Sequence, residues 1–247
     1  MEPTRWQVEA PAMGGRGEVW AYGQWGRPVL AFPSQEGHVW DFASHGMVDA
    51  VSDLLGGGRI KLYCVESFDS ASWFDHGLPM EERARRHDQY AAWLYDHVVP
   101  TIVSDCGGRT DLIATGCSFG AYHAVNVVLQ RADLFDVAIA LSGVYDLSTI
   151  GAWGEVGQAT YFANPAAYVA NLHGDHLDWL RRAATLVLVC GQGQWEDTTG
   201  ALASTRAFGA LAQGKGLQAE VDVWGHDMPH DWPSWQRMLA HHLPRFC

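Results

Sequence analysis

Short apolar runs rich in Val, Ile and Leu alternate along the chain with longer stretches whose apolar residues recur at helical spacing. The short runs at 19–22, 29–32, 60–65, 111–115, 137–141, 186–190 and 218–223 read as strands, and the longer ones at 47–55, 80–104, 119–131, 199–213 and 232–243 as helices. Nearly continuous apolar strands separated by amphipathic helices predict an α/β fold, with a mostly parallel central sheet and helices on both faces. Only a turn, residues 23–28, separates the first two runs, which predicts an antiparallel hairpin at one edge. From 143 to 182 the rhythm breaks into Gly, Asn, Pro and aromatics, an irregular excursion resembling a lid. No repeat, low-complexity tract or linker divides residues 1–247, so one domain is expected.

Composition narrows the partners. Apolar residues make up 48% of the 247, enough for a sizeable core, and the formal charge of −12 repels phosphate backbones and anionic lipid. Nucleic acid and membrane are therefore not expected partners. Cys64, Cys106, Cys117, Cys190 and Cys247 are odd in number and show no C-x-x-C spacing, and Cys64 and Cys190 sit inside strand-like runs. Free thiols of that kind fit a reducing compartment. With a polar, acidic start and no long apolar stretch, a cytoplasmic protein is expected.

Gly116-Cys117-Ser118-Phe119-Gly120 matches G-x-S-x-G, the nucleophile elbow of α/β-hydrolases, in which a serine sits on a sharp turn between strand and helix. The turn strains the serine backbone, and a side chain at either glycine would collide with neighbouring backbone. The pattern is short enough to recur by chance. Its context gives it weight, because the strand-like 110–115 precedes it and the helical 121–129 follows.

A serine nucleophile needs a histidine to take its proton and a carboxylate to hold that histidine, here in the chain order serine, acid, histidine. The loop after the last strand offers His226 and His230; His230 is preferred because the helix opened by Trp232-Pro233 stands directly behind it. His226-Asp227-Met228-Pro229-His230 imitates the H-E-x-x-H of zinc proteases, but Pro229 forbids the helix that would put both histidines on one face, so no metal is expected. After the strand at 186–190 come Glu196, the first choice of acid, and Asp197, the second; Asp146, one strand earlier, is the third. A loop carboxylate is as readily a solvated group or a helix cap.

Acyl transfer further requires two donors for the tetrahedral oxygen. Position along the chain suggests the backbone N–H of Phe119, directly after the serine, and that of Gln35 in the loop Pro33-Ser34-Gln35-Glu36-Gly37. Trp40, Trp73, Phe74, Trp153 and Trp195 fall near the expected strand ends, and Trp40, Trp73 and Trp195 are candidate walls for an apolar, aryl or carbohydrate-bearing substrate.

The 116–120 elbow, the segments 33–37 and 46–50, Tyr161-Phe162-Ala163-Asn164-Pro165 and above all His230-Asp231-Trp232-Pro233-Ser234-Trp235 resemble the bacterial putative-esterase family. That family is related to esterase D (S-formylglutathione hydrolase), enterochelin, feruloyl and acetylxylan esterases, and mycolyltransferases. The resemblance implies an α/β-hydrolase fold with Ser118, His230 and Glu196 as the triad; Pro33-Ser34 stands where the family usually has His-Gly. The expected function is hydrolysis of a small-molecule carboxylic ester through an acyl-enzyme, without cofactor. The alternatives are an acyltransferase using the same triad and a non-catalytic binding protein that keeps the fold.

Overall fold

A computed structural model of the chain describes residues 1–150 and 156–247. Its centre is an eight-stranded sheet of β1 (Thr4–Ala10), β2 (Gly15–Tyr22), β3 (Arg27–Phe32), β4 (Ile60–Val65), β5 (Leu112–Cys117), β6 (Phe135–Leu141), β7 (Thr185–Cys190) and β8 (Gln218–Val223), in the order β1-β2-β4-β3-β5-β6-β7-β8. The pairs β1/β2 and β2/β4 are antiparallel and the rest are parallel. The helices are α1 (Asp41–Ser44), α2 (Met47–Ala50), α3 (Ser52–Gly56), α4 (Met80–Trp93), α5 (Val99–Asp105), α6 (Phe119–Gln130), α7 (Gln158–Ala163), α8 (Pro165–Asn171), α9 (Gly174–Ala183), α10 (Ala201–Gly214) and α11 (Trp232–His242).

Successive residues of a strand face opposite sides. Leu112 and Ala114 of β5 pack toward α4–α6 and α8–α10, while Ile113 and Cys117 pack toward α1–α3 and α11. Every residue of β5 is buried, as expected of a central parallel strand covered on both faces. Among the described residues no helix is long and apolar enough to cross a membrane.

The structure corrects the sequence reading in three places. The runs at 19–22 and 29–32 do not form a hairpin with each other, because β4 lies between β2 and β3. Gly26, at φ +116°, makes this crossing possible: a Cβ there would come within 2.5 Å of the Arg59–Ile60 backbone, and Arg27 N–H donates to Arg59 O at 2.8 Å. The edge hairpin is instead β1/β2. β1 left little trace because only Val8 and Ala10 of its seven residues are buried. The expected helix 80–104 is α4 and α5 joined by a π-helical turn, Leu94–Val98, next to Pro100, which has no N–H for the helical ladder. The excursion at 143–182 contains α7, α8 and α9.

The parallel register brings Phe32, Cys117, Leu141, Cys190 and Val223 to one edge of the sheet. The chain runs from β3 outward to β4, then returns to place β5 on the other side of β3. Such a reversal opens a crevice at the carboxyl ends of the strands. All the loops that supply the candidate site leave from this edge.

Candidate active site

Ser118 stands between β5 and α6 at φ +56°, ψ −118°, a conformation that costs an L-residue free energy and survives only where the surroundings enforce it. They do so here. Its N–H donates to Leu141 O at 2.8 Å, and Gly116 and Gly120 let backbone pass where any Cβ would clash: at 2.3 Å from Gly120 O in the first case and 2.2 Å from Pro33 O in the second. The second contact also seats the 33–37 loop against the first turn of α6.

His230 Nε2 lies 3.0 Å from Ser118 Oγ, and His230 Nδ1 lies 2.9 Å from Glu196 Oε2. With the Nδ1 proton donated to the carboxylate, Nε2 presents its lone pair and the serine hydroxyl donates to it. Glu196 is completely buried, so its charge requires partners. Besides His230 it accepts from Ser142 Oγ at 2.5 Å, from Gly191 N–H at 3.3 Å and from the Cys190 thiol at 3.4 Å.

Two loops hold this arrangement by backbone contact. Gln192 N–H donates to Gly225 O, Gly193 N–H to Met228 O and His230 N–H to Gln194 O, at 3.1, 3.0 and 2.9 Å. Gly191 permits the approach, since a Cβ there would sit 2.0 Å from Met228 O. Behind His230, Asp231 caps α11 by accepting from Ser234 N–H at 3.0 Å. The Trp235 ring meets the imidazole edge-on at 5.0 Å and its indole N–H donates to Ser142 Oγ at 3.1 Å.

The sequence profile of the family described as Putative esterase matches residues 42–246. The chain belongs to this esterase family. Among solved structures it is similar to a ferulic acid esterase, at 16% identity and a TM-score of 0.77 over 99% of this chain and 96% of that one. It is also similar to an S-formylglutathione hydrolase from Agrobacterium tumefaciens (11%, 0.73, 98% and 93%) and to MPT51 (FbpC1) of Mycobacterium tuberculosis (15%, 0.72, 99% and 97%). At these identities the likeness is one of fold, the α/β-hydrolase fold. No curated protein matches the chain.

The other candidates of the esterase-family chain have the following partners and exposures. His226 Nδ1 bonds Gln192 O at 2.9 Å. Asp197 accepts from the Thr198 N–H at 2.8 Å, and Asp146 binds Ser148 and Asn164. Gln35 is exposed in a turn closed by Gly37 N–H to Ser34 O at 3.0 Å. Trp40 and Trp195 are exposed, at 43% and 52%, and His38 stacks on Trp40 with ring centroids 4.4 Å apart. Trp73, read from the sequence as a substrate wall, is instead 1% exposed and packed with Phe119 and Tyr122 beneath Phe74. Aromatic residues supply core as readily as cleft, and sequence pattern does not separate the two. Trp153 falls among residues 151–155, outside the described residues. Cys117 is buried on the α11 side of the sheet, and burial pushes its thiol well above the usual range.

Sequence reasoning did not single out Ser142 or a role for the Trp235 indole. The Leu141-Ser142-Gly143 run at a strand end was visible, but nothing local said that its hydroxyl would meet a carboxylate 54 residues on. Asp222, His241 and His242 bring potential metal-ligand atoms within 4.8 Å of one another. Two of the three are already engaged: Asp222 accepts from His242 Nε2 and Trp224 Nε1 at 3.0 and 2.7 Å, and Arg245 approaches His242 Nδ1 to 2.8 Å. A guanidinium in that position opposes a bound cation.

Proposed function

We propose that this protein hydrolyses a small-molecule carboxylic ester through a covalent acyl-enzyme on Ser118. The observation behind this reading is the unbroken line of bonds from Ser118 Oγ through both nitrogens of His230 to Glu196. As Oγ bonds to the ester carbonyl carbon, the hydroxyl proton passes to His230 Nε2, and buried Glu196 stabilises the resulting imidazolium. The oxyanion takes hydrogen bonds from the N–H groups of Phe119 and Gln35. His230 then returns the proton to the departing alkoxide. A water, deprotonated by the same imidazole, attacks the acyl group, releases the acid and restores the serine.

Trp40 and Trp195 have exposed rings, and we assign them as aromatic walls for the substrate. The test is turnover of a short p-nitrophenyl ester together with covalent labelling by a fluorophosphonate. The wild type is expected to turn over and label, and Ser118→Ala to do neither while staying folded. Undiminished turnover in Ser118→Ala refutes the reading; a wild type that neither labels nor turns over points to the non-catalytic alternative.

A further inference from the structure

Behind the elbow lies a polar pair that the reaction itself does not use. His123 Nε2 and Asp69 Oδ1 are 2.9 Å apart, with side chains only 3% and 2% exposed. Around them the wall is aromatic: Phe32 stacks on the imidazole at 5.6 Å, and Phe119 meets it edge-on at 5.2 Å. An apolar pair of similar volume would fill such a space at no desolvation cost, so the polar pair is not explained by packing.

The other oxygen of Asp69 accounts for it. Asp69 Oδ2 accepts the backbone N–H of Glu36 at 3.2 Å, and Glu36 is held at φ +52°. Glu36 and Gln35 are the two central residues of the Ser34–Gly37 turn. Binding the Glu36 amide selects one orientation of that turn, and with it the direction of the adjoining Gln35 amide. His123 lies one helical turn beyond Phe119, on the same side of α6. The helix that presents the first donor is thus tied, through His123 and Asp69, to the loop that presents the second.

From this geometry we infer that His123 and Asp69 are positioning residues that set the Gln35 amide relative to the Phe119 amide, and so shape the oxyanion site. The inference rests on the acyl-enzyme reading above. Donors to a developing oxyanion must be held within about 0.5 Å of their working geometry. A tether to the rigid α6 supplies that constraint for an exposed loop.

Kinetics and inhibitor binding test it, with Ser118→Ala as the reference for the underlying mechanism. In Asp69→Ala, kcat for a p-nitrophenyl ester should fall on the order of 10- to 100-fold with KM little changed. Affinity for a trifluoromethyl ketone, which forms an oxyanion on the serine, should fall in parallel. Asp69→Asn should restore most of both, because the amide oxygen accepts from Glu36 and its nitrogen reaches His123. If Asp69→Ala does not fold, the double variant Asp69→Leu/His123→Phe removes the tether while refilling the core with apolar groups. It should fold and show the same kcat loss. Wild-type kcat in either folded variant, a change in KM alone, or equal losses in Asp69→Ala and Asp69→Asn would overturn the inference. Activity surviving in Ser118→Ala would instead remove the reading on which it rests.

Discussion

Ser142 Oγ lies 2.5 Å from Glu196 Oε1, and the serine reaches the carboxylate from a backbone at φ +53°. Its own N–H is bonded to Val189 O at 2.7 Å, so the strained turn is fixed to β7, the strand that leads to the acid. Trp235, carried on the helix behind His230, bonds the same hydroxyl. The acid and the histidine are therefore referenced to each other twice, directly and through Ser142.

Strain and hydrogen bonding at Ser142 separate in two variants. Ser142→Ala keeps the left-handed backbone, deletes the donor to Glu196 and strands the Trp235 indole N–H, which costs about 1–3 kcal/mol. Ser142→Gly loses the same hydroxyl but relieves a conformation that costs an L-residue on the order of 1 kcal/mol. Under the proposed mechanism both should lose about 10-fold in kcat, with the glycine variant the more stable in urea unfolding. An alanine variant at least as stable as the glycine one would show that the φ value carries no strain.

Glu196→Gln keeps the shape and removes the charge. An amide nitrogen facing His230 stabilises the wrong tautomer, with the proton on Nε2, and leaves the imidazolium unsupported. The expected loss in kcat is on the order of 10³- to 10⁴-fold, against a small change in melting temperature. Asp197→Asn and Asp146→Asn, whose carboxylates bond locally to Thr198 and to Ser148 and Asn164, should stay near wild type. Comparable losses in all three variants would remove Glu196 from its assigned role.

Much of this was legible in the chain because it is local. The elbow, its strand and helix, and the loop before Trp232-Pro233 each announce themselves within a dozen residues, and parallel strands must end at the same edge. What was not legible depends on distant register. The edge hairpin was misassigned because Gly26 steps over the start of β4, a contact with residues more than thirty positions away. Trp73 and Trp40 look alike in sequence, yet one is core and the other surface. Ser142, just past β6, and Asp69, at the start of a short 3-10 turn, look ordinary until the fold delivers Glu196 to one and His123 to the other.

Gly120→Ala probes the seat of the 33–37 loop. The added Cβ would lie 2.2 Å from Pro33 O and 2.6 Å from Phe32 O, both backbone atoms that no rotamer change can move. Either β3 or α6 must shift, at a cost of about 1–3 kcal/mol or more. The loop holding Gln35 moves with it. Thermal unfolding should show a clearly lowered midpoint, and the folded fraction should have reduced kcat. A variant of unchanged stability and activity would mean that the loop does not rest on the helix in solution.

His87 makes the stability of the fold depend on pH. It is 3% exposed, its Nε2 is 3.1 Å from the Tyr122 hydroxyl, and its Nδ1 has no hydrogen-bond partner among the described residues. Burial, helped by the nearby His123, holds the imidazole well below its usual value. Above about pH 6.5 His87 is neutral whether folded or unfolded and adds no slope. Below that the unfolded chain takes up a proton that the folded one refuses, so stability falls as pH falls, by up to about 1.4 kcal/mol per pH unit for this group. His87→Phe keeps an aromatic ring in the space and removes the titration, while Tyr122 keeps its bond to Ala163 O at 2.9 Å. Urea midpoints measured from about pH 8 down to about pH 5 should therefore show the variant gaining on the wild type only below about pH 6.5. Parallel profiles over that range would mean that the folded protein accepts the proton, and that His87 is less isolated than its surroundings indicate.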